Sequence, residues 1–293
     1  MNDRIVRGLS TAGGIRVITC SAGVLAREIC ALQQTSPTAG IALGRGLAGG
    51  ALMGALLKPG QRVGLKFEGN GPVGKLLIEA DSDGAVRGCA GHPAADAPPL
   101  EGRWNVPGLL GRAGFLTVTK DLGMGGEPYH GMVQLRSSEI GDDLAYYLTD
   151  SEQVPSAVGL GATLDADGQV SACGGFLVQA LPRAEESEIE TIMGQIESLP
   201  PLSELINAGG PEALMARIFG PVSHTLLETR AIFFRCGCSR EKVEAALLSL
   251  GQDELGDIRR KGEGAEVRCE FCRRAYRLDA ADIERLAEHP PAA

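Results

Sequence analysis

Two short stretches, Arg235-Cys-Gly-Cys-Ser-Arg-Glu-Lys-Val243 and Cys269-Glu-Phe-Cys272, decide how this chain is read. Cys236 and Cys238 form one tight pair, Cys269 and Cys272 another, and 30 residues lie between the pairs. Four thiolates are the ligand set of a closed, structural, tetrahedral zinc site, and paired spacing lets each turn deliver two sulfurs to one ion. The first pair is tighter than the C-x2-C that zinc ribbons normally use twice. Coordinated sulfur is held as thiolate, the form that oxidants attack, so an accessible site of this kind is able to lose zinc and form disulfides. From Ala231 to the end there are 15 large apolar or Tyr residues in 63, a small core for independent stability. Structural zinc contributes an apparent binding energy on the order of 10 to 16 kcal/mol, so folding of this unit is expected to depend on metal.

The rest of the chain has room for a substantial core, since 293 residues exceed the roughly 100 to 200 of a usual domain. Gly 41 and Pro 16 make it rich in turns without reaching the composition of a low-complexity chain. The longest apolar run, Gly46 to Leu57, is 12 residues, against the about 20 of a membrane span. Residues 1–10 carry Asp3, Arg4 and Arg7 and no secretory pattern, so a cytoplasmic location is expected. A reducing compartment disfavours structural disulfides and favours metal or redox roles for clustered cysteines. The net charge of -9 and 4% aromatic content argue against a general nucleic-acid binder.

Residues 1–183 read as one core domain. Arg16 to Thr19 is strand-like, Ala22 to Leu32 has amphipathic helical spacing, and Ser36-Pro37 caps a second helix running to about Leu57. From Val63 the period changes to two, with strands at Val63 to Phe67, Gly74 to Glu79, Val86 to Ala90, Phe115 to Thr119, Met132 to Leu135 and Val170 to Val178. Residues 184–230 change character: Ile189, Ile192 and Ile196, then Leu214, Ile218 and Phe219, form apolar stripes broken by Pro200-Pro201 and by Gly209-Gly210. This segment reads as a helical linker, and residues 231–293 as a small zinc-binding redox-switch domain. The fold class is therefore α+β: a mainly antiparallel sheet covered by helices, a helical linker and a zinc unit.

Other motifs have plainer readings. Cys20, Cys30, Cys89 and Cys173 sit among apolar or small residues and read as small buried hydrophobes. His92, His130, His224 and His289 are scattered, and none is assigned catalysis. Gly44 to Gly49 matches G-x-G-x-x-G, but inside a helical pattern, where the glycines serve close packing and not a dinucleotide. Arg259, Arg260, Lys261, Arg268, Arg273, Arg274 and Arg277 surround the second cysteine pair. From Ala231 onward, however, 11 Lys and Arg face 12 Asp and Glu, so a solvated mixed surface is expected. A zinc-ribbon nucleic-acid factor is the competing reading, and it predicts a net basic module. A thiol oxidoreductase built on Cys269-x-x-Cys272 is a weaker third, because that motif normally opens a helix in a thioredoxin-like setting.

At these residues the chain resembles the 33 kDa chaperonin family, the redox-regulated heat-shock holdases. The cysteine stretches and Tyr276 carry the likeness, as do Ala42 to Arg45, Gly69-Asn-Gly-Pro-Val-Gly-Lys75, Val86 to Gly88, Gly91 to Pro93, Leu116 to Lys120, Gly125 to Tyr129, Asp143 to Tyr147, Ser151 to Ser156 and Gly174 to Phe176. The resemblance implies zinc on Cys236, Cys238, Cys269 and Cys272 in the reduced, inactive form. Under oxidative stress it implies metal release, disulfides Cys236–Cys238 and Cys269–Cys272, an unfolded linker and ATP-independent binding of unfolding client proteins, often as a homodimer. It implies a binding protein and not an enzyme, with no nucleic-acid or membrane partner. Arg273 departs from expectation, because a small residue or Asn better tolerates a left-handed turn after the last cysteine.

Overall fold

The computed structural model describes residues 2–123, 125–262 and 264–288, so His289 lies outside the described residues. The chain divides into two compact units, Met1–Arg235 and Cys236–Ala293. The first begins with strands β1 (Arg4–Ser10) and β2 (Ile15–Ser21), then helices α1 (Gly23–Gln33) and α2 (Pro37–Gly54). A meander follows, β3 (Arg62–Gly69), β4 (Lys75–Asp81) and β5 (Ala85–Ala90), then the short α3 (Val106–Leu110), β6 (Gly114–Asp121), β7 (Tyr129–Gln134) and α4 (Ile140–Asp150). Strands β8 (Ser156–Leu164) and β9 (Val170–Ala180), helices α5 (Glu186–Glu197) and α6 (Leu202–Phe219), and strands β10 (His224–Ala231) and β11 (Phe233–Phe234) complete the unit.

These strands form two sheets where the sequence suggests one. The described strands order as β10-β1-β2-β9-β8 and as β11-β5-β4-β3-β6-β7, antiparallel throughout except for β11 beside β5. Period two identifies strands but not which sheet each joins. That is set by α2, which packs against β4 and β5 of one sheet and β8 and β9 of the other. A helix between two sheets has no solvent face, and nearly every residue of α2 is buried. Ser36 starts it by accepting a hydrogen bond from the Ala39 N–H, with Pro37 at the first turn. Its glycines allow the close approach: a Cβ on Gly46 or Gly50 would lie 2.8 or 2.4 Å from carbons of Ile78. Gly44 to Gly49 are thus helix-packing residues.

The five-stranded sheet has a second buried face. Val6, Ile15, Val17, Phe176 and Val178 project there and are covered by Ile192 of α5 and by Ile206, Leu214, Met215, Ile218 and Phe219 of α6. This cluster is separate from the main core around α2. The helical linker expected over residues 184–230 is helical only to Phe219. Residues 224–231 form β10, an edge strand on β1, tied by Arg7–Glu228 at 3.1 Å. Its residues are mostly exposed, so alternation leaves no mark there. The expected break at Gly209-Gly210 is a kink: Gly210 has φ 71° and ψ -171°, followed by Pro211 within α6. Neither α5 nor α6 has a side-chain N-cap, so both rest on the sheet beneath them.

Ala231 to Arg235, grouped by sequence with the zinc unit, lies in the first unit. Ile232 is buried in the main core and β11 pairs with β5. The second unit contains α7 (Arg240–Leu248), α8 (Gln252–Lys261), the hairpin β12 (Ala265–Arg268) with β13 (Ala275–Leu278), and α9 (Ala280–Glu288). Its core is Val243, Leu247, Leu255, Leu278, Ile283 and Leu286.

Two glycine-to-alanine changes should have opposite signs. Gly50→Ala gains up to about 1 kcal/mol of helix propensity but overpacks against the stiff branched side chain of Ile78, a cost of about 1 to 3 kcal/mol. Gly194, in α5, has open space around its missing Cβ, so Gly194→Ala should stabilise by up to about 1 kcal/mol. Chemical denaturation of the reduced protein checks both, with a fall in midpoint expected for the first and a rise for the second.

Candidate metal centre

The sulfurs of Cys236, Cys238, Cys269 and Cys272 all lie within 4.8 Å of one another. Two local structures deliver them. Cys269 and Cys272 occupy the tip of the β12–β13 hairpin, where the Arg273 N–H donates to the Cys269 carbonyl at 2.9 Å and the Cys269 N–H to the Arg274 carbonyl at 3.0 Å. Arg273 takes φ 60°, the left-handed conformation that its position after the last cysteine suggests. Cys236 and Cys238 lie just before α7. There Ser239 caps the helix by accepting from the Lys242 N–H, and Lys242 Nζ donates to the Gly237 carbonyl at 2.6 Å. Arg240 joins the two structures: it pairs with Asp282 of α9 at 2.5 Å and donates to the Arg277 carbonyl of β13 at 3.1 Å.

Sulfur separations of 3.6 Å for Cys236 to Cys269 and 3.4 Å for Cys238 to Cys272 are near the edge of a tetrahedron of thiolates. With Zn–S of about 2.3 Å that edge is about 3.8 Å. The donor set is all sulfur and partly buried, which fits a closed zinc site. Burial pushes the thiols of Cys236 and Cys272 up, the latter to about 12, with the Cys238 and Arg274 backbone N–H groups opposing the rise. Burial acts the same way on Cys238, but the Tyr276 hydroxyl and the neighbouring thiols donate to its sulfur and hold it at about 7. Hydrogen bonding thus favours the charged form of Cys238 over that of its neighbours.

Upstream, the residue preceding Cys236 is fixed within the first unit. The Arg235 guanidinium donates to Asp81 at 2.8 Å and to both oxygens of Asp83 at 2.8 and 3.1 Å, and it lies over the Phe233 ring. These contacts lower the carboxyls of Asp81 and Asp83, although burial works against the shift in Asp81. Sequence reading gave no role to Arg235, Lys242 or Tyr276, because a lone Arg, Lys or Tyr near a cysteine has no spacing signature.

The remaining cysteines are not brought together as a site. Cys20, Cys30, Cys89 and Cys173 are buried, and burial pushes Cys20 to about 12, Cys30 to about 11 and Cys173 well above its usual value. All four are small buried side chains, as their apolar surroundings in the sequence suggest. The described histidines, His92, His130 and His224, all belong to the first unit. The basic residues near the second cysteine pair are largely engaged: Arg259 with Glu284, Arg260 with Asp257, and Arg268 and Arg277 with Glu266.

A family model described as Hsp33 protein matches residues 3–279. The chain belongs to the Hsp33 family. The 33 kDa chaperonin of Pelobacter propionicus is 64% identical over 98% of this chain and 95% of its own length. That of Geobacter sp. strain M21 is 49% identical over 98% and 97%. The crystal structure of the 33 kDa chaperonin from Thermotoga maritima superimposes with a TM-score of 0.90 at 35% identity, covering 98% of each chain. Hsp33 membership supports a chaperone and is consistent with a protein that is not an enzyme.

The hydroxyl of Tyr276 supports the thiolate of Cys238 at 3.1 Å. Groups that hydrogen-bond a metal ligand typically carry a factor of about 10 to 100 in metal affinity. Tyr276→Phe should keep the unit folded in saturating zinc while weakening zinc about tenfold, as read by competition with a chromogenic chelator. An unchanged affinity would remove Tyr276 from the centre.

Proposed function

We propose that this Hsp33 chain is a redox-regulated, ATP-independent holdase of the cytoplasm that binds unfolding client proteins when oxidised. In the reduced, inactive form Cys236, Cys238, Cys269 and Cys272 hold one zinc ion. The single observation that carries this reading is the convergence of these four sulfurs, in a unit whose buried core is small. Bound zinc supplies the free energy that such a core lacks. Oxidation converts the four thiolates into Cys236–Cys238 and Cys269–Cys272, each disulfide giving two electrons to the oxidant, and disulfide sulfur no longer retains the metal. Local pairing follows because the hairpin tip and the pre-helix loop each keep their own cysteines close, whereas crossed pairs need both parts to stay docked.

The rest of the switch lies in residues 184–230, read as the linker between a core of residues 1–183 and a redox domain of residues 231–293. The linker is tied to the cysteines through the chain itself: β10 leads to Ile232, to β11 and to Arg235, and Cys236 follows. Loss of order after Cys236 loosens this strap, and the linker helices then leave the sheet. The face they cover is apolar, from Val6 to Val178, and exposed apolar surface is what a holdase offers a client. The active form is proposed to be a homodimer. Nucleic acid is not a proposed partner, since Arg259, Arg260, Arg268 and Arg277 are paired with carboxylates and the unit is not net basic. Among the described residues no helix is long and apolar enough to cross a membrane.

Zinc content, disulfide mapping and suppression of a client's aggregation, measured on one sample before and after oxidation, test the reading. The expected result is one zinc and no suppression before oxidation, then no zinc, the two local disulfides and suppression afterwards. Full zinc retention in a protein that has become active would contradict it, and predominant crossed disulfides would contradict the pairing.

A further inference from the structure

Away from the cysteines, a cavity of about 760 Å³ opens in the first unit between the β3–β4 turn, the segment around α3 and the segment leading into α4. Its wall is rich in donors. Arg103, Arg112 and Arg136 all line it, and none of the three forms an ion pair among the described residues. Arg136 instead lies over the Tyr146 ring at 4.7 Å. Asn70 and Asn105 use their side-chain oxygens locally, accepting from the N–H of Ala113 at 3.2 Å and of Gly108 at 2.8 Å. Their amide nitrogens make no hydrogen bond among the described residues, which leaves them as donors. Two carboxylates also line the cavity. Glu139 is held by Arg45 at 2.7 Å, and Glu101 is exposed. Among the lining side chains three guanidiniums thus face one uncompensated carboxylate, so the lining itself is net positive.

The wall is also held in shape. The buried carboxylate of Asp143 accepts from the N–H groups of Arg136 at 2.8 Å and Ser137 at 3.2 Å. The Ser138 hydroxyl donates to the Gly111 carbonyl, and Asn70 fixes the segment after Gly111 through Ala113. Three separate segments are thus linked before any ligand arrives, which limits the ordering cost of binding.

We propose that this cavity binds a small anion carrying more than one phosphate group. Planar guanidiniums match phosphate oxygens in pairs, and hydrogen bonds to charged groups are the strong ones. The volume exceeds what one carboxylate or one phosphate fills. Trp104, the one tryptophan of the chain, lines the same cavity and reports on it.

The test is calorimetric titration of the reduced, zinc-loaded protein with inorganic tripolyphosphate at fixed ionic strength, with Trp104 fluorescence followed in parallel. Saturable one-to-one binding is expected. Arg112→Ala and Arg136→Ala should each weaken it about tenfold or more, and Arg112→Lys should restore part of the loss. Arg259→Ala, in the second unit, should leave it unchanged. Arg112 is exposed, so its replacement leaves the fold intact and the comparison interpretable. Heat with unchanged fluorescence still supports the site if the arginine variants abolish it. Absence of saturable binding, or equal binding by the Arg112→Ala/Arg136→Ala double variant, overturns the proposal.

Discussion

The apolar face of the five-stranded sheet must be covered, and everything else in the molecule is arranged around how that is done. Its other face is closed by α2, which lies between the two sheets and whose glycines allow the close approach. The face bearing Val6, Ile15, Val17, Phe176 and Val178 is closed only by α5 and α6. Those helices lack side-chain N-caps, α5 buries only Ile192, and α6, which carries most of the cover, is interrupted at Gly210-Pro211. A cover of this kind is stable only while its tertiary contacts hold. The cover belongs to a hydrophobic cluster separate from the main core around α2.

The proposed switch uses this dependence on tertiary contacts. A fully populated cover and a fully open face differ by a shift from about 1:99 to 99:1, or roughly 5.5 kcal/mol. Structural zinc is worth on the order of 10 to 16 kcal/mol to a small unit. Loss of part of that, transmitted through the strap of Ile232, β11 and Arg235, is therefore sufficient in magnitude. Arg235 has the same importance for this reading as the cysteines: it anchors the chain one residue before the first proposed ligand.

The cysteine pairs were legible in sequence because metal ligands must recur at short spacing in a turn, and the fold brings those four sulfurs together. Strands β3 to β6 were legible from their period of two, and α2 from its Ser36-Pro37 start, although it is buried on every side. Six described strands were not: β11, β12 and β13 are only two to four residues long, and β1, β8 and β10 are hidden for other reasons. β1 carries Arg4 and Arg7, whose partners Glu212 and Glu228 lie some 200 residues away. β8 carries Gly159 and Gly161, which break the alternation of apolar side chains and against which Phe176 and Leu202 pack. β10 is an edge strand with both faces largely exposed, so it was read as part of a helical segment. The division into two sheets was also invisible, since it is decided by which strands α2 touches. Tyr276 stood within the family motif, but only the structure supplies its contact with Cys238.

The central claim is that uncovering the sheet, and not disulfide formation as such, creates the client-binding state. Phe219 is fully buried in the cover and stacks on His224 at 4.1 Å. Phe219→Ala removes about 3 to 5 kcal/mol of packing without touching a cysteine. The decisive measurement is hydrogen exchange of this variant, reduced and zinc-loaded, beside suppression of a client's aggregation. The account predicts faster exchange across residues 184–231, unchanged protection of β3 to β6, and partial client binding with zinc still present. Faster exchange in that segment with no client held would contradict it and place the binding surface elsewhere.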